Sequence, residues 1–251
     1  MNIGVSSGFE QLVFKTSYFD QFVFLKNITA AEKIVVYIEG DGSAWARRYK
    51  PSDDPSPRNP LALRLAVLDP QPVVAYVARP CQFTGGDDGR GCDTSFWTSH
   101  RFAREVVLST EEVIDKLKDM TGVKQVELVG YSGGGAVALL VASERTDVIS
   151  VRTVAGNLDH KAWTDYHSVS PLYGSLNSAD VVEENCSIPQ LHYAGDEDRI
   201  VPLDIAKAYQ KKATAFCRSR VRVIPGCTHA RGWVEVWPSL CAGFYKTESV
   251  R

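Results

Sequence analysis

The chain has 251 residues, 44% of them hydrophobic, enough to bury one large core without demanding a second domain. A net charge of −2 argues against nucleic acid as a partner, which would favour a basic face. No run of about 18 apolar residues offers a membrane span, and no basic start followed by an apolar stretch marks a signal peptide.

In chain order, the pattern predicts a hairpin of Gln11–Thr16 and Phe22–Leu25 around Ser17-Tyr18-Phe19-Asp20. A third strand, Lys33–Ile38, ends in Glu39-Gly40-Asp41-Gly42-Ser43. A polar loop from Arg47 to Pro60 then leads to a helix at Leu61–Leu68. Val73–Ala78 reads as a buried strand, followed by a long segment from Arg79 to His100. Glu105–Asp119 reads as an amphipathic helix with Val106, Val113, Ile114 and Leu117 on one face. Further strands are expected at Lys124–Val129, Val148–Val154, Gln190–Ala194 and Arg220–Ile224, with helices at Gly135–Ala142 and Leu203–Phe216 and a short C-terminal helix near Pro238. Strands alternating with helices imply a parallel sheet with right-handed crossovers, in one α/β domain over residues 1–251.

The run Gly130-Tyr131-Ser132-Gly133-Gly134 joins an apolar strand directly to a helix of small residues. A strand that becomes a helix within one residue strains that residue, and its neighbours two positions away must be small. Such a turn projects the Ser132 hydroxyl outward and puts the Gly133 N–H at a helix start, where donors are unpaired. Other glycine motifs fit less well. A dinucleotide fingerprint needs Gly where Ser132 stands, and a P-loop needs Lys after its last Gly, where this chain has Ala136.

A serine nucleophile needs a base within hydrogen-bond reach, itself oriented by a third group. His229 follows the strand Arg220–Ile224, at the sheet edge where α/β proteins build sites. His160, at the end of another strand, is the competitor. His192 is expected to be a packed sheet residue, with His100 and His167 on solvated loops. The acid is expected in Gly195-Asp196-Glu197-Asp198-Arg199-Ile200-Val201-Pro202. Asp198 is preferred, with Asp196 and Asp159 as alternatives.

The order Ser132, Asp198, His229, with the Gly130–Gly134 turn and Val201-Pro202 after the acid, resembles the α/β-hydrolase superfamily in its esterase- and lipase-like branch. The resemblance implies an eight-stranded, mostly parallel sheet with helices on both faces. It also implies ester or related acyl hydrolysis through a covalent acyl-enzyme, with no cofactor and no metal. An oxyanion hole would come from the backbone N–H groups of Gly133 and Asp41. Many relatives have His-Gly where this chain has Glu39-Gly40, so the Asp41 carboxylate must be held away from the oxyanion, with Arg47 or Arg48 as candidates to hold it. The segment 157–185 is the usual place for a lid and is long enough for a short cap at most.

Trp45, Trp97, Trp163 and Trp233 all follow predicted strand ends, which suggests an apolar wall for the substrate near Ser132. Arg47, Arg48, Arg79 and Arg101 could meet an acidic substrate group. Six cysteines, none in a C-x-x-C pair, argue against zinc ribbons and suggest disulfides, hence a periplasmic or secreted protein rather than a cytoplasmic one. Cys217 and Cys227 flank one strand, about 30 Å apart, and cannot bond. Cys186 with Cys217 and Cys81 with Cys92 can meet. Cys227 with Cys241 follows by elimination if the last helix starts near Pro238. The expected function is a serine hydrolase acting on small-molecule carboxylic esters; thioesterase and acyltransferase chemistry fit the same residues. A catalytically silent hydrolase fold that binds a ligand or partner is the alternative from another class.

Overall fold

The structure, a computed structural model, describes residues 2–213 and 217–248. In chain order its elements are α1 (Asn2–Ser6), β1 (Glu10–Lys15), β2 (Asp20–Asn27), β3 (Lys33–Ile38), β4 (Trp45–Arg47), β5 (Lys50–Pro51), α2 (Leu61–Val67) and β6 (Val73–Val77). Next come α3 (Arg104–Thr121), β7 (Gln125–Tyr131), α4 (Gly133–Ala142), β8 (Val148–Val154), α5 (His160–His167), β9 (Gln190–Gly195), α6 (Leu203–Lys212), β10 (Ser219–Ile224) and α7 (Trp233–Glu248). The expected helix end at Phe216 lies outside the described residues.

The main sheet has eight strands in the order β1-β2-β6-β3-β7-β8-β9-β10. The pairs from β6 to β10 are parallel, and β2 runs antiparallel to both its neighbours. Alternation along each strand sorts side chains to two faces. Ile34, Val36 and Ile38 of β3 and Val73, Ala75 and Val77 of β6 join one core with α3, α4 and α6. Val35, Tyr37, Val74 and Tyr76 join another with α2 and α7. Helices therefore cover both faces: β3 and β6 are near-continuous apolar runs, and β7 and β8 are buried along almost their whole length, because neither face meets water.

The C-terminal end departs from expectation. The last helix begins at Trp233 and runs 16 residues, with Pro238 inside it. Trp233, Trp237, Leu240 and Cys241 are all buried, an apolar stripe at helical spacing that outweighs one exposed proline. This start also corrects the third expected disulfide. Cys81–Cys92 and Cys186–Cys217 are bonded, but Cys227 and Cys241 are free buried thiols. Cys241 lies about two turns into α7, with its Sγ 3.7 Å from Arg152 Nη1, while Cys227 stays in the loop after β10.

The 157–185 segment adds only the two-turn α5 and a short 3₁₀ turn at Ser178–Asp180. Leu172, Ala179 and Val182 from it enter the main core, so no separate lid covers the sheet edge. Among the described residues, no helix is long and apolar enough to cross a membrane.

Candidate active site

The candidate nucleophile sits between β7 and α4. Ser132 has φ 51° and ψ −120°, a backbone conformation that non-glycine residues rarely adopt. A Cβ on Gly130 would lie 2.3 Å from Gly134 O, and one on Gly134 would lie 2.3 Å from Ile38 O. Both glycines are thus required by contact as well as by turn geometry. The strain is held by backbone bonds: Ser132 N–H donates to Val154 O at 3.0 Å, and Ser132 O accepts from Asn157 N–H at 3.0 Å.

His229 and Asp198 come from the loops after β10 and β9. A Cβ on Gly195 would lie 2.2 Å from Cys227 O, so only glycine lets these loops touch, and Glu197 N–H donates to that same carbonyl at 3.1 Å. Asp198 is 6% exposed; its Oδ1 accepts N–H bonds from Ile200 at 2.8 Å and Val201 at 2.9 Å. Its Oδ2 lies 2.9 Å from His229 Nδ1, and His229 Nε2 lies 3.0 Å from Ser132 Oγ. With Nδ1 donating to the carboxylate, Nε2 is left as an acceptor for the hydroxyl proton.

The other candidates are engaged elsewhere. Asp196 accepts from Gly226 N–H at 2.8 Å. Asp159 caps α5 and meets Lys212 Nζ at 2.8 Å. His160 packs on Phe102, away from the serine, with its basicity lowered by burial. His192 is a sheet residue bonded to Thr153 Oγ1 at 2.9 Å, its pKa pushed down to about 3 by burial.

The expected oxyanion loop follows β3. Gly133 N–H is in the first turn of α4, where no intrahelical acceptor exists. Among the described residues, neither it nor Asp41 N–H bonds to a protein acceptor. The Asp41 carboxylate is held by Arg79 Nη1 at 3.0 Å and Arg101 Nη1 at 2.9 Å. This corrects the assignment to Arg47 and Arg48. Both are exposed, and Arg48 lies over the Tyr49 ring. It also means that Arg79 and Arg101 spend charge on Asp41 first, Arg79 being wholly interior.

Gln82 braces the same loop, donating from Nε2 to Gly40 O at 3.0 Å and accepting from Arg79 N–H at 3.1 Å. Glu39 is 1% exposed and accepts from Gly40 N–H at 3.0 Å. Burial raises its pKa to about 7, against the N–H bonds from Gly40 and Ala62 that lower it. None of Gln82, the Arg79–Arg101 clamp or Asn157 was expected to serve the site in these ways. The one signal available was position, since Arg79 and Asn157 come within three residues of the ends of β6 and β8.

A cavity of about 520 Å³ opens beside Ser132, lined among others by Asp41, Trp45, Arg101, Asn157, Trp163 and His229. Of the four tryptophans expected there, only Trp45 and Trp163 arrive. Trp97 is buried in the core with its indole N–H on Ser52 O at 3.0 Å. Trp233 is fully buried, its indole N–H donating to Thr228 O at 2.8 Å, so it anchors the loop that carries His229. Trp97 closes a 3₁₀ turn and Trp233 opens α7, and long loops bury large rings as anchors as readily as they present them.

No protein-family model and no curated protein matches the chain. Solved structures do. Est1E from Butyrivibrio proteoclasticus superposes with TM-score 0.68 at 13% identity, over 96% of this chain and 99% of that one. An esterase of Pyrococcus furiosus gives TM-score 0.70 at 13% identity, over 98% and 93%. An α/β serine hydrolase without a lid, from Xanthomonas campestris, gives 0.63 at 12%, over 95% and 94%. The chain has the α/β-hydrolase fold.

Proposed function

We propose that this protein is a serine hydrolase that cleaves small-molecule carboxylic esters through an acyl-enzyme. The observation that carries the reading is the relay of two short contacts, 3.0 Å from Ser132 Oγ to His229 Nε2 and 2.9 Å from His229 Nδ1 to Asp198 Oδ2. A silent fold has no use for a serine strained outward and aligned on a base that is itself oriented by a buried acid.

Ser132 Oγ attacks the ester carbonyl as His229 Nε2 takes its proton. Asp198 holds the tautomer and balances the imidazolium. The carbonyl oxygen, now anionic, accepts from the N–H groups of Gly133 and Asp41. Collapse expels the alcohol, which takes the proton from His229. Water then repeats the sequence on the acyl-enzyme and releases the acid. Acyl transfer by this route draws on side chains and water, without a cofactor. The two disulfides and the whole-chain likeness to esterases support this reading, with an oxidising compartment as its setting.

A fluorophosphonate probe mapped by mass spectrometry tests it. The expected result is a single adduct on Ser132 and none in Ser132→Ala, whose ester turnover falls by about 10⁶. Absence of an adduct under conditions that label a control esterase would replace this reading with the silent fold.

A further inference from the structure

Several buried side-chain polar atoms lack a hydrogen-bond partner among the described residues, and of these only Glu39 Oε2 and Asn157 Oδ1 belong to residues lining the cavity beside Ser132. Asn157 is 3% exposed and tied to the nucleophile turn by its backbone N–H on Ser132 O at 3.0 Å. Among the described residues, its carboxamide oxygen has no hydrogen-bond partner. Interior amides are almost always paired, because an unpaired one costs stability. Arg101, also nearly buried, spends Nε on Thr98 O at 2.7 Å and Nη1 on Asp41 at 2.9 Å, and among the described residues no acceptor takes its Nη2. The remaining walls include the indoles Trp45 and Trp163.

We propose that Asn157 and Arg101 form a hydroxyl-reading subsite, and that the ester cleaved at Ser132 is that of a polyhydroxylated ring, a sugar-like alcohol. The inference rests on the serine-hydrolase reading and names the substrate class of the same site. A carboxamide needs a partner that donates to Oδ1 and accepts from Nδ2, and a hydroxyl does both. An alkyl ester offers no donor there. A carboxylate offers none either, and it would enter beside Asp41 and Glu39. A second hydroxyl finds a donor in Arg101 Nη2. The half-exposed indole of Trp45 covers a C–H face of a ring that bears hydroxyls only at its rim, while Trp163 carries the Arg101 guanidinium over its own ring.

The test compares acetate release from a mono-O-acetylated methyl glucoside and from cyclohexyl acetate, rings of equal size with and without hydroxyls. The expected kcat/KM ratio is about 10²-fold or more in favour of the glucoside, and in Asn157→Leu it falls to within about 3-fold, mainly through KM. A ratio near one in the wild type, or an unchanged ratio in the variant, overturns the subsite. Fluorophosphonate labelling of the same samples separates the two ideas: labelled protein without the preference leaves a serine hydrolase and removes the subsite, whereas unlabelled protein that turns over neither ester removes the reading beneath it. Binding gives a second readout that needs neither turnover nor the Asn157 variant. Tryptophan fluorescence of Ser132→Ala should respond saturably to methyl glucoside and not to cyclohexanol, and equal responses would also overturn the subsite.

Discussion

A carboxyl closed away from water at Glu39 makes the stability of this protein depend on pH. Its pKa of about 7 in the folded chain stands above the 4.5 of the exposed group, because burial opposes the charge more than the Gly40 and Ala62 N–H groups support it. An acid whose folded pKa is raised binds more protons folded than unfolded between those two values. Its contribution is therefore fully present below pH 4.5 and is lost as pH rises to 7. The loss amounts to about 3 kcal/mol. Glu39→Gln removes the titration while keeping an acceptor for Gly40 N–H. Urea unfolding of both proteins near pH 4 and near pH 8 should then show the wild type losing about 3 kcal/mol relative to the variant. A constant difference across that range would mean that Glu39 ionises in the folded chain as it does in the unfolded one. The same residue borders the loop that carries Asp41 N–H, so a buried anion here would also oppose an oxyanion; Arg79 and Arg101 offset it locally.

At the scale of elements, the strand-to-helix turn shows how much the packing asks of single residues. A Cβ at 134 would lie 2.3 Å from Ile38 O and 2.5 Å from Glu39 O, both backbone atoms that cannot swing aside. Gly134→Ala should therefore push α4 off β3, at a cost of about 1–3 kcal/mol or more, and displace Ser132 from His229. Loss of fluorophosphonate labelling in a variant that still unfolds cooperatively would report this, and full labelling would show that the turn has slack. The Gly130–Gly134 motif was legible in the sequence for this same reason, since strain and contact leave almost no choice of residue. Strands such as Lys33–Ile38 and Val148–Val154 were legible to the residue because β-branched runs buried on both faces end abruptly at turn residues. By contrast, α5 carries only a short, mostly polar stripe after its Asp159 cap, and β4 and β5 form a hairpin within a Pro- and Asp-rich loop. The proposed triad could be read because each member follows its own strand on one sheet edge. The Asp41 clamp could not: Arg101 stands 60 residues away, and the long loop that brings it home has no period to read. Pairing Cys227 with Cys241 by elimination failed because it assumed that every thiol is oxidised; burial pushes the Cys241 thiol up to about 11, so it stays protonated and inert.

The whole molecule is tied together by long-range links that differ in kind. In one core, Arg152 of β8 is fully buried, 3.3 Å from Glu127 Oε2 of β7 and 3.8 Å from Asp69 Oδ2, with its guanidinium 4.4 Å from the Phe244 ring of α7. Removing it would leave Glu127 to Lys33 and Asp69 to the Tyr37 and Tyr245 hydroxyls, with a guanidinium-sized gap between them, so the network is costly to break whatever its net worth. The disulfides act on the unfolded chain instead. Cys81–Cys92 closes a separation of 11 residues and Cys186–Cys217 one of 31, which by chain entropy contribute about 3 and about 4 kcal/mol. The longer one spans from the end of the 157–185 segment to the start of β10, the strand that delivers His229, so it ties the base to the main body. Cys186→Ser with Cys217→Ser should lower Tm by about 7–15 °C for a chain of this size, whereas Cys227→Ser should leave the response to reductant unchanged. Tm measured with and without reductant checks both: a wild-type Tm that does not move on reduction would mean that the oxidised pairs contribute no stability, and would remove their support for an oxidising compartment.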